Sequence, residues 1–535
     1  MMTKGWFCLI PLITGFCFLY GQEAEFDSPS PPPPAEAESL QPPEGTDETQ
    51  GTYYIRTIDF DIQGRTQASA LMRNGEFVIG ERIRGKAALE RYIAYKTQVI
   101  YNQRVLETVS IEYTLAEADD GGLVPVDLRV ITRDTRNFVI LPAPQYDSNS
   151  GFEIILKGRD YNFLGSMTPL RVDMGYTFNE KEEHGLSFLI DSDFPFLAMG
   201  LNWNLNFDNE LKYIQEAPLY FKNTTGLSLD LPFRRTTFTV ALEQSTVVNE
   251  ENDVDDEIDD GPYFNEHWYA ASALSGQWKI PLGLSVGGLG ELTYTPQIKG
   301  SLNYRPSGDI GEYRRGAALT LSQTLGFGEI NWIGNFRKGM KVSLENSNTY
   351  GTNRNSWDHS ISFSSIGHFP VTDYFEITGR LMYRHWLFSP ASIYKIYSQG
   401  KFHVYTDGGD LLRGIKNSAL PVENMLSLNL DFPFRVIRFV PSEWLNNAKL
   451  HIFDFELQAS PFIDIALARD PVHDRNFSPR DALVAGGLEL ILFPLAWRSL
   501  YLRISAGTNL VELFKTKELF PGNNRELFIG LGHHF

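Results

Sequence analysis

The sequence predicts a transmembrane β-barrel of antiparallel strands preceded by one small α+β domain. Three observations carry that prediction. A short apolar run opens the chain, one segment mixes strand and helix spacings, and the long remainder alternates apolar and polar residues with a period of two. The chain has 535 residues, 42% hydrophobic and 13% aromatic, with 45 glycines and 47 basic against 66 acidic side chains, a net charge of -19. That is too apolar for a disordered chain, and the acid excess argues against a nucleic-acid binder, which needs a basic footprint.

Residues 1–21 read as an export signal. Lys4 precedes the uncharged run Gly5 to Tyr20, and Gly21 supplies a small residue before the acidic stretch that starts at Gln22. An uncleaved anchor is the other reading, but the run falls short of the ~20 residues that span a bilayer. Acylation of Cys17 would need a small residue where Phe16 stands. Cys8 and Cys17 are the chain's two cysteines, so cleavage leaves no thiol for a disulfide or a cysteine zinc site.

Residues 22–51 are rich in Pro and Glu around Pro31-Pro32-Pro33-Pro34, with no Lys or Arg between Lys4 and Arg56. Such a composition buries no core and predicts a solvated tether.

Residues 52–137 form the predicted small domain. Ile58, Phe60 and Ile62 alternate as a strand; Thr66 is placed to cap a short helix through Ala70 and Met72; Leu89, Tyr92 and Ile93 share one face of a longer helix. Val109, Ile111, Tyr113 and Leu115 then alternate, Asp119-Asp120-Gly121-Gly122 turns the chain, and Val124 to Val130 alternate back. The order is strand, helix, helix, strand, strand, with Tyr92 and Tyr95 read as packing residues.

Residues 138–535 are assigned to the barrel. Leu201, Trp203, Leu205 and Phe207 alternate with Asn202, Asn204 and Asn206, and Leu426, Leu428, Leu430 and Phe432 repeat the pattern. A soluble sandwich also alternates. The export signal, the aromatics near strand ends and the closing Leu527, Ile529, Leu531 and Phe535 favour a barrel whose apolar face meets lipid. At ~10 residues per strand plus loops, the length accommodates about 14 to 18 strands.

Taken in order, these parts resemble the BamA/TamA-type superfamily of outer-membrane assembly factors (the outer membrane protein 85 family). Three motifs carry the resemblance. Asn162-Phe163-Leu164-Gly165 is similar to the family's turn between the first two barrel strands. Leu412-Arg413-Gly414-Ile415 is similar to the tip of a loop that folds into the lumen, and Phe462-Ile463-Asp464 to the family's Phe-x-Asp strand motif. The loop motif precedes five strand-like segments, near Leu426, Leu450, Leu483, Leu502 and Leu527. The resemblance implies a barrel of about 16 strands, a POTRA-like periplasmic domain and an outer-membrane location. Here one such domain fits, Ile415 replaces an aromatic, and Ala466 stands where the family often has Gly.

A guanidinium can fork onto a carboxylate and Gly414 permits close backbone passage, so Arg413 is expected to pair with Asp464. The expected function is an insertase or translocase, with no enzymatic activity and no cofactor. A seam between Gly151–Leu156 and Leu527–Phe535, loosened by Gly530 and Gly532, would admit a client strand. The expected partners are the outer-membrane bilayer, unfolded outer-membrane protein clients and periplasmic chaperones or accessory proteins. A two-partner-type secretion pore for one substrate is the alternative within the fold, and a plain porin or adhesin the alternative outside it. Gly283-Leu284-Ser285-Val286-Gly287 matches a nucleophile-elbow string, but the glycines after it oppose the required helix. His533 and His534 alternate across a strand and do not make a metal pair, and the acidic run from Glu250 to Asp260 misses the EF-hand spacing.

Overall fold

The structure, a computed structural model, describes residues 51–531 except 120, 148–150, 179–183, 216–218, 250–267, 287–289, 307–315, 353–355, 389–405, 408–411, 416–420, 423, 471–474 and 518–524. The export signal, most of the tether, the acidic run 250–260, Gly532, the His533-His534 pair and Phe535 lie outside the described residues.

The small domain is a four-stranded sheet backed by two helices. Strands β1 (Thr52–Gln63), β2 (Arg82–Arg84), β3 (Leu106–Leu115) and β4 (Leu123–Asp134) lie in the order β2-β1-β4-β3. Because β1 runs parallel to β4, the chain needs a long crossover, and helices α1 (Ala68–Asn74) and α2 (Lys86–Tyr101) lie within it. Strand β2, between the helices, has only one buried side chain and carries no periodic signal in the sequence. Ile55, Leu71, Leu89, Ile100, Leu106, Val126 and Leu128 make the core, each worth roughly 1.5–3 kcal/mol of burial. Tyr92 packs against this core, whereas Tyr95 is exposed. Thr66 does not cap α1: Gln67 holds that place, and the Thr66 hydroxyl donates instead to Asp134 Oδ1 at 2.6 Å.

After β4 the chain closes into a barrel. Among the described residues it has eighteen strand positions, β5 to β22. The one bent at Phe432-Pro433 is counted once, and the short Arg475–Asn476 segment is taken as an extension of a hairpin. This is one hairpin more than the resemblance implies and within the range the length allows. The strands used below are β5 (Phe138–Asp147), β6 (Gly151–Asp160), β7 (Leu170–Phe178), β8 (His184–Ala198) and β9 (Leu201–Ile214). After the long loop come β18 (Asn424–Asp431 and Phe434–Phe439), β19 (Phe455–Asp470), β20 (Leu483–Pro494), β21 (Leu502–Asn509) and β22 (Arg525–Leu531). Leu450 sits in a 3-10 helix, Ala448–Phe453, that leads into β19.

The period of two has the expected consequence. Phe194, Leu205, Leu227, Leu242 and Leu274 are register partners on five adjacent strands and form one outward apolar row. Leu227, Leu242 and Leu274 are exposed, which suits lipid and not water. The opposite face is polar: Lys299 bonds Glu243 at 2.7 Å, and Ser322 bonds Gln297 at 3.2 Å. Among the described residues no helix is long and apolar enough to cross a membrane. Ser285 of the Gly-x-Ser-x-Gly string ends a strand, and the next described element is the strand Glu291–Tyr304.

Candidate functional site

Strand β19 presents Phe462, Asp464, Ala466 and Ala468 to the lumen, all buried, while Ile463 faces outward. The loop tip descends onto this face. Arg413 is only 3% exposed and forks onto Asp464, with Nη2 donating to Oδ1 at 2.7 Å and Nε to Oδ2 at 3.0 Å. The Arg413 backbone N–H also donates to Oδ2, at 2.9 Å. Its guanidinium lies 3.9 Å from the centre of the Phe462 ring, an attraction strengthened by burial.

Two further carboxylates share the charge. Nη1 lies 2.6 Å from Asp431 Oδ1 on β18 and 3.2 Å from Glu489 Oε1 on β20, as charge pairs. Glu489 in turn accepts from Arg503 Nη1 at 3.2 Å, and the Arg503 guanidinium stacks 4.2 Å from the Phe528 ring on β22. Sequence reading finds Asp464 through its motif but misses Asp431 and Glu489, which look like ordinary lumen-facing alternates.

Leu412 and Ile415, buried on either side of the pair, pack with Met425, Ala466, Ala468, Leu483 and Ala485. Ile415 and Ala466, the two departures from the family pattern, thus meet in one apolar cluster. Gly414 has φ +89°, and a Cβ there would come within 2.6 Å of the Thr508 nitrogen and 2.9 Å of the Gly507 carbonyl carbon. Only glycine fits this approach to β21. Gly414 N–H donates to Glu526 Oε2 on β22 at 2.7 Å, a partner that sequence reading also misses. One loop tip therefore touches all five strands from β18 to the last.

The seam lies next to this latch. Strand β22 pairs with β21 from Leu502↔Leu531 to Thr508↔Arg525 and, among the described residues, with β5 at Phe528↔Asp147 and Ile529↔Tyr146; residues 148–150 and 532–535, which flank this ladder, lie outside the described residues. The first barrel strand is thus Phe138–Asp147, and Gly151–Leu156 belongs to the second, which corrects the seam expected from sequence. Pro142 and Pro144 break the alternation of β5 and hide it as a strand. They fall on alternate positions, so the donors they lack belong to one edge, and an edge strand is where a sheet tolerates proline. Leu527 and Ile529 alternate with the lumen-side Glu526, Phe528 and Gly530. A Cβ on Gly530 would strike the Phe528 ring at 2.5 Å. Leu531 is the last described residue.

Asn162-Phe163-Leu164-Gly165 lies between β6 and β7, the second and third strands, not the first two. It meets the small domain. Asn162 is fully buried; its Nδ2 donates to Thr66 Oγ1 at 2.8 Å, and its Oδ1 accepts from Met167 N at 2.8 Å. Gln67 donates from its backbone to Gly165 O at 2.9 Å and from its side chain to Leu164 O at 2.8 Å. Gly165 has φ +75°, and a Cβ there would overlap Arg65 O at 2.1 Å. Phe163 sets its edge against Phe194, with centroids 6.1 Å apart.

A second dock engages turns elsewhere on the same rim. Arg104 bonds the Arg498 carbonyl, Gly334 O at 3.2 Å and Asn335 Oδ1 at 3.1 Å, and lies 4.0 Å over the Trp332 ring. Ser499 Oγ donates back to Arg104 O at 3.0 Å. The docked turns belong to β6–β7 and β20–β21, one on each side of the seam, and to a hairpin far round the barrel. The small domain thus straddles the mouth.

No family model matches the chain, and no curated protein matches it. Among solved structures it is similar to CdiB from Acinetobacter baumannii, at 13% identity over 90% of this chain and 74% of that one, with a TM-score of 0.46. It is similar to BamA from Haemophilus ducreyi lacking POTRA domains 1-3, at 15% identity over 90% and 84% of the two chains, with a TM-score of 0.33. CdiB from Escherichia coli is similar at 10% identity over 92% of each chain, with a TM-score of 0.38.

Proposed function

We propose that the chain is an outer-membrane polypeptide-handling barrel of the BamA/TamA type, whose seam between β5 and β22 opens sideways to a client strand while the small domain faces the periplasm. The observation that carries this reading is the closure of the barrel between its first and last strands, β5 and β22, paired among the described residues at Phe528↔Asp147 and Ile529↔Tyr146, with the loop latch fastened to β22 beside it. A strand edge, once opened, offers free N–H and C=O groups, and an extended client supplies their complement. The latch fits the same reading, since it fastens the long loop to the strand that must move. No cofactor and no bond-making chemistry is required. The partners are the bilayer, unfolded barrel clients and accessory proteins that deliver them.

Depletion of the protein in its native cell tests this. The reading predicts broad loss of other heat-modifiable barrels from the outer membrane. Loss of a single exported protein would assign a dedicated secretion pore instead, and no change in either would favour a porin or adhesin.

A further inference from the structure

A cavity of about 180 Å³ lies between helix α1 of the small domain and the barrel rim. Its two walls differ in chemistry. One carries Gln67, Ser69, Arg73 and Ser166; the other is the run Phe194-Pro195-Phe196-Leu197 at the end of β8. Arg73 is half-buried, and its Nη2 donates to Ser166 O at 2.7 Å. Among the described residues no carboxylate pairs with it, and burial lowers its pKa with no acidic neighbour to offset the shift. A guanidinium has five donors, so most of its fork is left for an anion.

The apolar wall fixes the depth. Phe194 and Phe196 stack at 6.2 Å, and Phe196 stacks on Trp203 of β9 at 6.4 Å, on the outward face of strands that end at the exposed turn Met199-Gly200. Outward aromatics at the end of a lipid-facing band mark the level where headgroups begin. A half-buried arginine at that level faces the phosphates of the adjoining leaflet.

We infer that this cavity is a phosphate site for a membrane phospholipid, the phosphodiester held by Arg73 beside Ser69, whose hydroxyl donates to Gln67 Oε1 at 3.2 Å, and the acyl chains running along Phe194 and Phe196. A free phosphate shares the anion chemistry but has no use for the aromatic wall. The bound lipid ties α1 to the bilayer surface, which is independent of what the seam does.

The test uses the full chain in neutral detergent with dioleoylphosphatidylglycerol added, read by native mass spectrometry. The wild type retains one lipid. Arg73→Gln lowers retention about tenfold, the loss of one forked charged contact, and Arg73→Lys retains part of it. Ser69→Trp, an exposed position that fills the cavity and leaves Arg73 in place, lowers retention as well and serves should Arg73→Gln fail to show heat-modifiable folding. Equal retention by the wild type and by the folded variants would overturn the site. Displacement of the lipid by millimolar inorganic phosphate would overturn the lipid as its occupant.

Discussion

The backbone N–H of Gly414 donates to Glu526 Oε2 at 2.7 Å, which joins the tip of the long loop to the final strand of the barrel. The same tip holds Asp464 through Arg413, so a loop that would otherwise sample a wide lumen is fixed to both a wall strand and the seam strand. Removing the latch should therefore be felt in two places, the loop and the edge.

Arg413→Ala leaves Asp464, Asp431 and Glu489 facing one another in a buried site. Breaking a buried pair from one side costs about 3–5 kcal/mol, and the urea midpoint of unfolding in detergent should fall accordingly. Arg413→Lys keeps the charge without the fork and should lie between the two. Exchanging the charges, Arg413→Asp with Asp464→Arg, should not restore stability, because the other two acids and the backbone N–H of residue 413 remain in place.

Gly414→Ala should unseat the loop without unfolding the barrel. The methyl group meets the backbone of Gly507 and Thr508, and φ +89° strains any other residue. Limited proteolysis should cut the loop faster, with heat-modifiable migration unchanged. Glu526→Gln spares the backbone but weakens the acceptor, and hydrogen exchange at Leu527–Leu531 should rise.

Arg104→Ala should loosen the small domain from the rim. It removes a buried stack on Trp332 and bonds to Arg498, Gly334 and Asn335, together worth about 3 kcal/mol. Protease cleavage after Asp134 should accelerate, while the urea midpoint of the barrel stays fixed.

Lys96 gives the small domain a pH dependence. Its ammonium is buried, bonds Glu76 O at 2.7 Å, and is pushed below the ordinary lysine pKa by burial, against the opposing pull of Glu81 and Glu76. Below its ordinary value the unfolded chain then binds more protons than the folded one, so stability rises with pH from the lowered pKa toward the unfolded one. Tyr92, raised by burial, acts in the opposite sense once free tyrosine ionises near pH ~10. The rise should appear below that point in thermal melts and vanish in Lys96→Met.

What the sequence makes legible follows from periodicity and from motif chemistry. Alternation exposes most strands because one face meets lipid and the other water, and Arg413 with Asp464 stands out because a loop arginine and a strand acid share a recognisable setting. Strand β5 is hidden because Pro142 and Pro144 interrupt its alternation. Asp431, Glu489 and Glu526 are hidden because an acid on a lumen face is ordinary until the fold brings a loop to it. Thr66 reads as a cap because its spacing suits one, yet Asp134, distant in sequence, takes its hydroxyl.

The most direct test is a disulfide across the seam. Tyr146 and Ile529 are register partners, antiparallel partners lie at a separation a disulfide can bridge, and the chain's own cysteines, Cys8 and Cys17, both fall in its first twenty residues and can be replaced by serine. With Tyr146→Cys and Ile529→Cys oxidised in proteoliposomes, insertion of a client barrel should stop and resume on reduction. A control pair at Leu344 and Phe363, partners on adjacent strands away from the seam, should leave it unaffected. Client insertion at an unchanged rate with the seam cross-linked would contradict the lateral-opening account.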